Sequence, residues 1–245
     1  MISLFESILS STKSGAYSII KKWCQENLRS MKNGEDEHGW MIDGNMKITN
    51  WTNGKSTNAL NVENSKTGPV PSYIKFAEEL KGSFFVGQLL NWLKPEQLPK
   101  HVGLLYISGL TGKIPTFSME CKHGIYVIDK TEKLKHIDPI YIQSSTDGGQ
   151  KPIYDFNDTQ IDFESIQNIH VEGDIYKLGI KNTPAAEEIK KQIKKCKKAD
   201  EKYGTNTLEE YLESVFGHLP GLRFIELSAR TSIEHNPKDL KWYVF

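Results

Sequence analysis

A short tandem repeat in the middle of the chain limits its fold more than any other feature. Written in rows of 21 residues, the rows open at Gly82, Gly103 and Gly124 and read Gly-Ser-Phe-Phe-Val, Gly-Leu-Leu-Tyr-Ile and Gly-Ile-Tyr-Val-Ile. Phe84, Leu105 and Tyr126 share the column two places after the glycine, and Val86, Ile107 and Ile128 the column four places after. Leu98, Met119 and Ile140 share a third column later in the row. A period of 20–29 residues that joins one short strand to an apolar-punctuated return is the pattern of a coil that must stack. One coil cannot bury its inward side chains, whereas neighbouring coils together build a continuous core behind a parallel sheet. Pro99, Pro115 and Pro139 fall in the return arcs, where a missing amide does little harm. The competing reading is three ordinary strands that happen to be evenly spaced in an α+β domain.

Before the repeat, Ser3 and Glu6 have the spacing of a helix capping box. Ile19, Ile20, Trp23, Cys24 and Leu28 then recur at helical spacing and predict a packed helix face. Residues 32–38 and 49–58 read as loops, and Asp43-Gly44 between apolar residues reads as a hairpin turn. Leu60 and Val62 alternate as a short strand. After the repeat, 145–160 reads as a polar loop, and Ile166–Ile180 reads as one or two late coils. Thr183-Pro184 opens a helix whose buried stripe is Ile189, Ile193, Cys196 and Ala199 or Tyr203. A second helix opens at Thr207, with Glu210 completing a capping box, and stops at Gly217. Leu222–Leu227 and Leu240–Phe245 read as strands.

The chain resembles the divergent leucine-rich repeats of bacterial and bacteriophage proteins. The residues that carry the likeness are Leu98-Pro99-Lys100-His101-Val102-Gly103 at one row junction and Leu80-Lys81-Gly82-Ser83-Phe84 at another. Lys22-Trp23-Cys24-Gln25-Glu26-Asn27 and Met41-Ile42-Asp43-Gly44 match the helical and hairpin openings of such proteins. The likeness spans about residues 15–142. Gly87, Gly109 and Lys130 stand near the family's asparagine column, and Val86, Ile107 and Ile128 replace its cysteine column. The resemblance implies an interaction surface and carries over no catalytic residue.

Composition excludes several function classes. With 31 basic and 31 acidic side chains the formal charge is zero, so no global field draws the chain to nucleic acid or to anionic lipid. Three cysteines, far apart and without a CxxC pair, suggest neither a disulfide framework nor a thiolate metal site. No apolar run is long enough to span a bilayer, and the first residues lack the features of a signal peptide. A cytoplasmic location is expected, or a virion-associated one for a phage-encoded chain.

Few residues suggest catalysis. Glu120-Cys121-Lys122-His123 contains the Glu-x-Lys pair of some metal-dependent nucleases, where the carboxylate holds Mg²⁺. That chemistry needs a further acid from a preceding strand, and no aspartate stands between Asp43 and Asp129. A Cys121–His123 dyad would need an orienting third group, which the sequence does not supply. Neither a metal site nor a cofactor is expected. Lysines at 190, 191, 194, 195, 197, 198 and 202 line one helix; they could contact phosphates, but read first as a solvated face.

The expectation is an α+β chain comprising an N-terminal helical cap and hairpin (1–58), a short leucine-rich-repeat-like solenoid (59–182) and a C-terminal two-helix and strand region (183–245). Its expected role is non-enzymatic protein–protein recognition. Strand alternation assigns Ser83, Phe85, Leu104, Tyr106, Ile125 and Val127 to the outward face as candidate protein-binding residues. Either that apolar face is free to bind a partner, or the C-terminal region covers it. A Glu120/Lys122 nuclease and a nucleic-acid binder using 190–202 are the alternatives.

Overall fold

The computed structural model describes residues 13–28, 39–50, 59–62, 68–128, 133–144, 151–236 and 238–245. The chain divides into two compact units, Met1–Gly103 and Leu104–Phe245. The Ser3–Glu6 capping box, the loop over 32–38 and residues 51–58 of the expected 49–58 loop lie outside the described residues, while Thr49 and Asn50 of that loop are in a strand.

The first unit begins with helix α1 (Lys13–Asn27), which buries Gly15, Ile20 and Cys24. Burial pushes the Cys24 thiol up to about 12, so this cysteine is packing rather than chemistry. The Asp43-Gly44 hairpin forms between β1 (Trp40–Ile42) and β2 (Ile48–Asn50), which pair antiparallel. The Asp43 carboxylate accepts from the Asn45 and Lys47 amides and fixes the turn. Strands β3 (Leu60–Asn61) and β4 (Glu79–Val86) pair in parallel with Leu60 beside Phe84, both fully buried. Gln97 is also buried, and its amide nitrogen donates to the Pro71 and Ile74 carbonyls.

The second unit is a parallel β-solenoid whose coils present three faces. One face stacks the Leu104–Ser108 part of β5 (His101–Ser108), then β8 (Gly124–Ile128), β11 (Ile153–Asp155), β13 (Lys177–Gly179) and β14 (Phe224–Ser228). These five stacked strands mark about five turns. A second face stacks β7 (Phe117–Cys121), β10 (Ile140–Gln143) and β12 (Ile169–Glu172). The third pairs β6 (Gly112–Ile114) with β9 (Leu134–Ile137), and the short helix α2 (Glu164–Gln167) lies against β9. There the Ser165 hydroxyl accepts from the Ile137 amide, and the Asn168 side chain donates to the Ile137 carbonyl.

The core along the first face is built from two inward columns. Leu105, Ile125, Tyr154, Leu178 and Ile225 stand side by side in register, and all are fully buried. Full burial of such a side chain is worth roughly 1.5–3 kcal/mol, and each buries itself only because the next coil covers it. The corner between the second and first faces requires glycine. Gly124 has φ +106°, and a Cβ there would meet the Ile153 carbonyl oxygen at 1.9 Å. Gly173 has φ +95° at the same corner two coils later, where a Cβ would meet the Ser144 carbonyl oxygen at 2.2 Å.

Two secondary-structure expectations fail in this unit. The polar stretch 145–160 is not all loop, because β11 falls within it and inserts Tyr154 and Phe156 into the core. A three-residue strand is too short to show alternation against its glycine- and proline-rich approach. The Thr207 capping box also does not form. Helix α4 (Thr207–Phe216) starts from Asn206 without a side-chain cap, and Asp200 of helix α3 (Pro184–Tyr203) accepts from the Thr207 and Leu208 amides instead. Helix α3 itself opens as expected, with the Thr183 hydroxyl accepting from the Ala186 amide. The chain closes on β15 (Thr231–Asn236) and β16 (Lys241–Val244), antiparallel to their neighbours. No helix among the described residues is long and apolar enough to cross a membrane.

Candidate functional site

The outward side of the first face is the best-defined surface of the second unit. Leu104 and Tyr106 alternate with the buried Leu105 and Ile107 and stand outward, half-buried. Ile125 does not. It pairs with Leu105 and is fully buried in the core column, and Val127 shares the inward column of Ile107. The assignment of Ile125 and Val127 to the binding face is therefore corrected, and Tyr126 takes their place. The reason is local: the step from Leu105 to Ile125 is 20 residues, one short of the 21-residue row. The corner glycine of β8 sits directly before the inward residue, whereas Leu104 separates Gly103 from Leu105. Ser83 and Phe85, in the first unit, are half-buried on either side of the buried Phe84.

In register, the outward row of the second unit reads Tyr106, Tyr126, Asp155, Gly179 and Glu226. The Tyr106 and Tyr126 rings lie 5.6 Å apart and tilted, within the range of a favourable aromatic pair. Burial, and then the nearby Asp155 charge, raise the Tyr126 hydroxyl above the usual tyrosine range. Burial also raises the Asp155 carboxyl. Its Oδ1 accepts from the Asn157 amide, and it makes no ion pair among the described residues. Gly179 fills the next place in the row without a side chain of its own, and Asn157 lies over it, with its Nδ2 2.8 Å from where a Cβ would stand. Beyond it Glu226 takes Lys177 at 2.8 Å and Lys181 at 3.5 Å, and these lysines hold its carboxyl below the usual glutamate range.

Side chains outside the sheet lock this row in place. Asn157 Oδ1 accepts from the Lys181 amide at 2.6 Å, and Asn182 donates to Asp158 at 2.7 Å, so the coil of β11 is tied to the coil of β13 through their exit turns. At the other end of the strands, Tyr176 packs edge-on against Phe224 at 5.1 Å, with the Lys151 ammonium 4.0 Å above its ring. A cavity of about 380 Å³ opens beside them, lined among others by Asp174, Arg223 and His235. The C-terminal strands do not lie over the face; β14 adds to the edge of β13 and extends the same sheet.

The other candidates are placed apart. Glu120 stands outward on the second face, in register with Gln143 and then Glu172. Two strand spacings separate the two carboxylates, about 9.5 Å. Lys122 is exposed at the corner, and no group of three or more His, Cys, Asp or Glu side chains placed to hold a metal occurs among the described residues. Cys121 points into the core, and burial raises its thiol, the reverse of what a nucleophile requires. The lysine-rich stretch is the solvent side of α3.

Comparisons with protein families, with characterised proteins and with solved structures give no match for this chain. The residues and their geometry therefore carry the functional reading alone.

Proposed function

We propose that this chain is a protein-recognition module that docks a partner on the outward row Tyr106–Tyr126–Asp155. We read the solenoid as leucine-rich-repeat-like and of bacterial or phage origin, serving as a host-interaction, virion or immunity-type component. The observation that supports recognition is the paired tyrosines beside a half-buried carboxylate with no ion-pair partner among the described residues. Tyrosine gives a large contact area for little loss of side-chain freedom, and clusters of this kind dominate binding energy at interfaces. A carboxylate without an ion pair among the described residues favours a partner with a basic side chain at that point and an apolar or aromatic group against the tyrosines.

The test is affinity capture from a lysate of the source organism, using wild type and three variants as bait. A stoichiometric protein retained by wild type and by Lys198→Gln, but lost on Tyr126→Glu and on Asp155→Lys, supports the reading. Capture that ignores both face substitutions, or no captured protein at all, overturns it.

A further inference from the structure

Helix α3 carries a second surface, independent of the sheet face. It packs through Ala185, Ala186, Ile189, Ile193 and Cys196, which leaves the opposite arc to solvent. Lys194, Lys195, Lys198 and Lys202 fall within one flank of that arc at three- and four-residue spacing. Lys194 to Lys202 covers about 12 Å of helix axis.

The structure shows which charges on this helix are already engaged. Glu187 is taken by Lys190, and Glu188 by Lys191 at 3.7 Å and Gln192 at 2.6 Å. Asp200 accepts from the Thr205 hydroxyl at 2.7 Å and from the Thr207 and Leu208 amides at 2.7 and 3.0 Å. Of the helix's four acids, only Glu201 is left to offset the lysines of its second half. Lys194, Lys195, Lys197 and Lys198 make no ion pair among the described residues. Lys202 lies 4.7 Å above the ring of Tyr203, which is 66% exposed. A chain with no net charge thus presents four lysines without an ion pair among the described residues, together with Lys202, on the solvent side of one helix.

We propose that this stripe binds the phosphate backbone of double-stranded nucleic acid without reading its sequence. Lysines are point charges that suit phosphates but lack the planar fork arginine uses to read a guanine edge. A single exposed tyrosine is too few to form a stacking platform for single strands. Insertion into a membrane surface would need an exposed apolar side on the helix, and that side is spent on the protein's own core.

Binding is measured by fluorescence anisotropy with labelled 20-base-pair DNA and RNA duplexes between 50 and 200 mM salt. Four phosphate contacts predict a slope of about −3.6 in log K against log salt on DNA, a loss of roughly 10²-fold over that range. Lys194→Gln/Lys195→Gln/Lys198→Gln/Lys202→Gln abolishes the slope, while its thermal midpoint stays near wild type because the four side chains are exposed and glutamine suits a helix. Tyr126→Glu binds duplex as wild type does, so failure of the partner reading leaves this result intact. Binding to either duplex with that slope supports the proposal. No binding at 50 mM salt, an undiminished slope in the quadruple variant, or binding to anionic phospholipid vesicles without binding to duplex overturns it.

Discussion

Replacing Ile125 with alanine should cost far more stability than replacing its neighbour Tyr126, although tyrosine is the larger side chain. Ile125 is fully buried between Leu105 and Tyr154 in the core column. The substitution removes three carbons at about 0.8 kcal/mol each, a transfer cost of about 2.4 kcal/mol. Neighbours pinned by the parallel ladder cannot collapse fully into the space, which brings the expected loss to about 2.5–4 kcal/mol. Tyr126 stands outward and touches Tyr106, so Tyr126→Ala forfeits little beyond the aromatic pair, about 0.5–1.5 kcal/mol. Urea unfolding followed by circular dichroism measures both, with the shift in midpoint read at constant slope. A larger loss for Tyr126→Ala than for Ile125→Ala would restore the 21-residue register and refute the placement of the recognition row.

Gly124→Ala should destabilise by at least about 3 kcal/mol, since positive φ and a Cβ 1.9 Å from the Ile153 oxygen together force β8 away from β11; an unchanged unfolding midpoint contradicts this. Asp155→Asn should raise the unfolding midpoint at pH 7, because burial disfavours the charged form while the amide oxygen still accepts from Asn157. Its raised carboxyl means the wild-type fold gains relative stability as pH falls from the folded value toward the ordinary aspartate range near 3.9, a gain Asp155→Asn lacks. Glu226 behaves in the opposite sense: its lowered carboxyl contributes stability that is full above the ordinary glutamate range, near 4.3, and is lost as pH falls through the folded value. Glu226→Gln should therefore cost about 0.5–1 kcal/mol at pH 7 and nothing near pH 2, measured by thermal unfolding at the two pH values.

The coil architecture was legible in the sequence because a stacked strand repeats a simple demand. Each rung needs an outward residue, an inward apolar one, an outward one and an inward apolar one. Leu104-Leu-Tyr-Ile107, Gly124-Ile-Tyr-Val127, Ile153-Tyr-Asp-Phe156, Lys177-Leu-Gly-Ile180 and Phe224-Ile-Glu-Leu227 all obey it. Aligning these four-residue units, rather than counting 21 from each glycine, would have placed Tyr126 outward and found Asp155 and Glu226. Glycine was a poor anchor because it answers to the corner and not to the strand. Loop length concealed the later rungs, since the steps Ile125 to Tyr154 and Leu178 to Ile225 are 29 and 47 residues, the second spanning both helices. Asp200 as the cap of α4 was invisible for a related reason: it lies on the preceding helix, seven residues before the amide it receives.

The central claim, that the Tyr106–Tyr126–Asp155 row is the recognition surface, is tested most directly by titration calorimetry of a captured partner against single alanine variants. A hot-spot cluster predicts that Tyr106→Ala, Tyr126→Ala and Asp155→Ala each weaken binding about 30-fold or more, while Tyr141→Ala on the second face leaves it within about threefold. Equal affinities for all four variants, or a loss confined to Tyr141→Ala, would contradict the account.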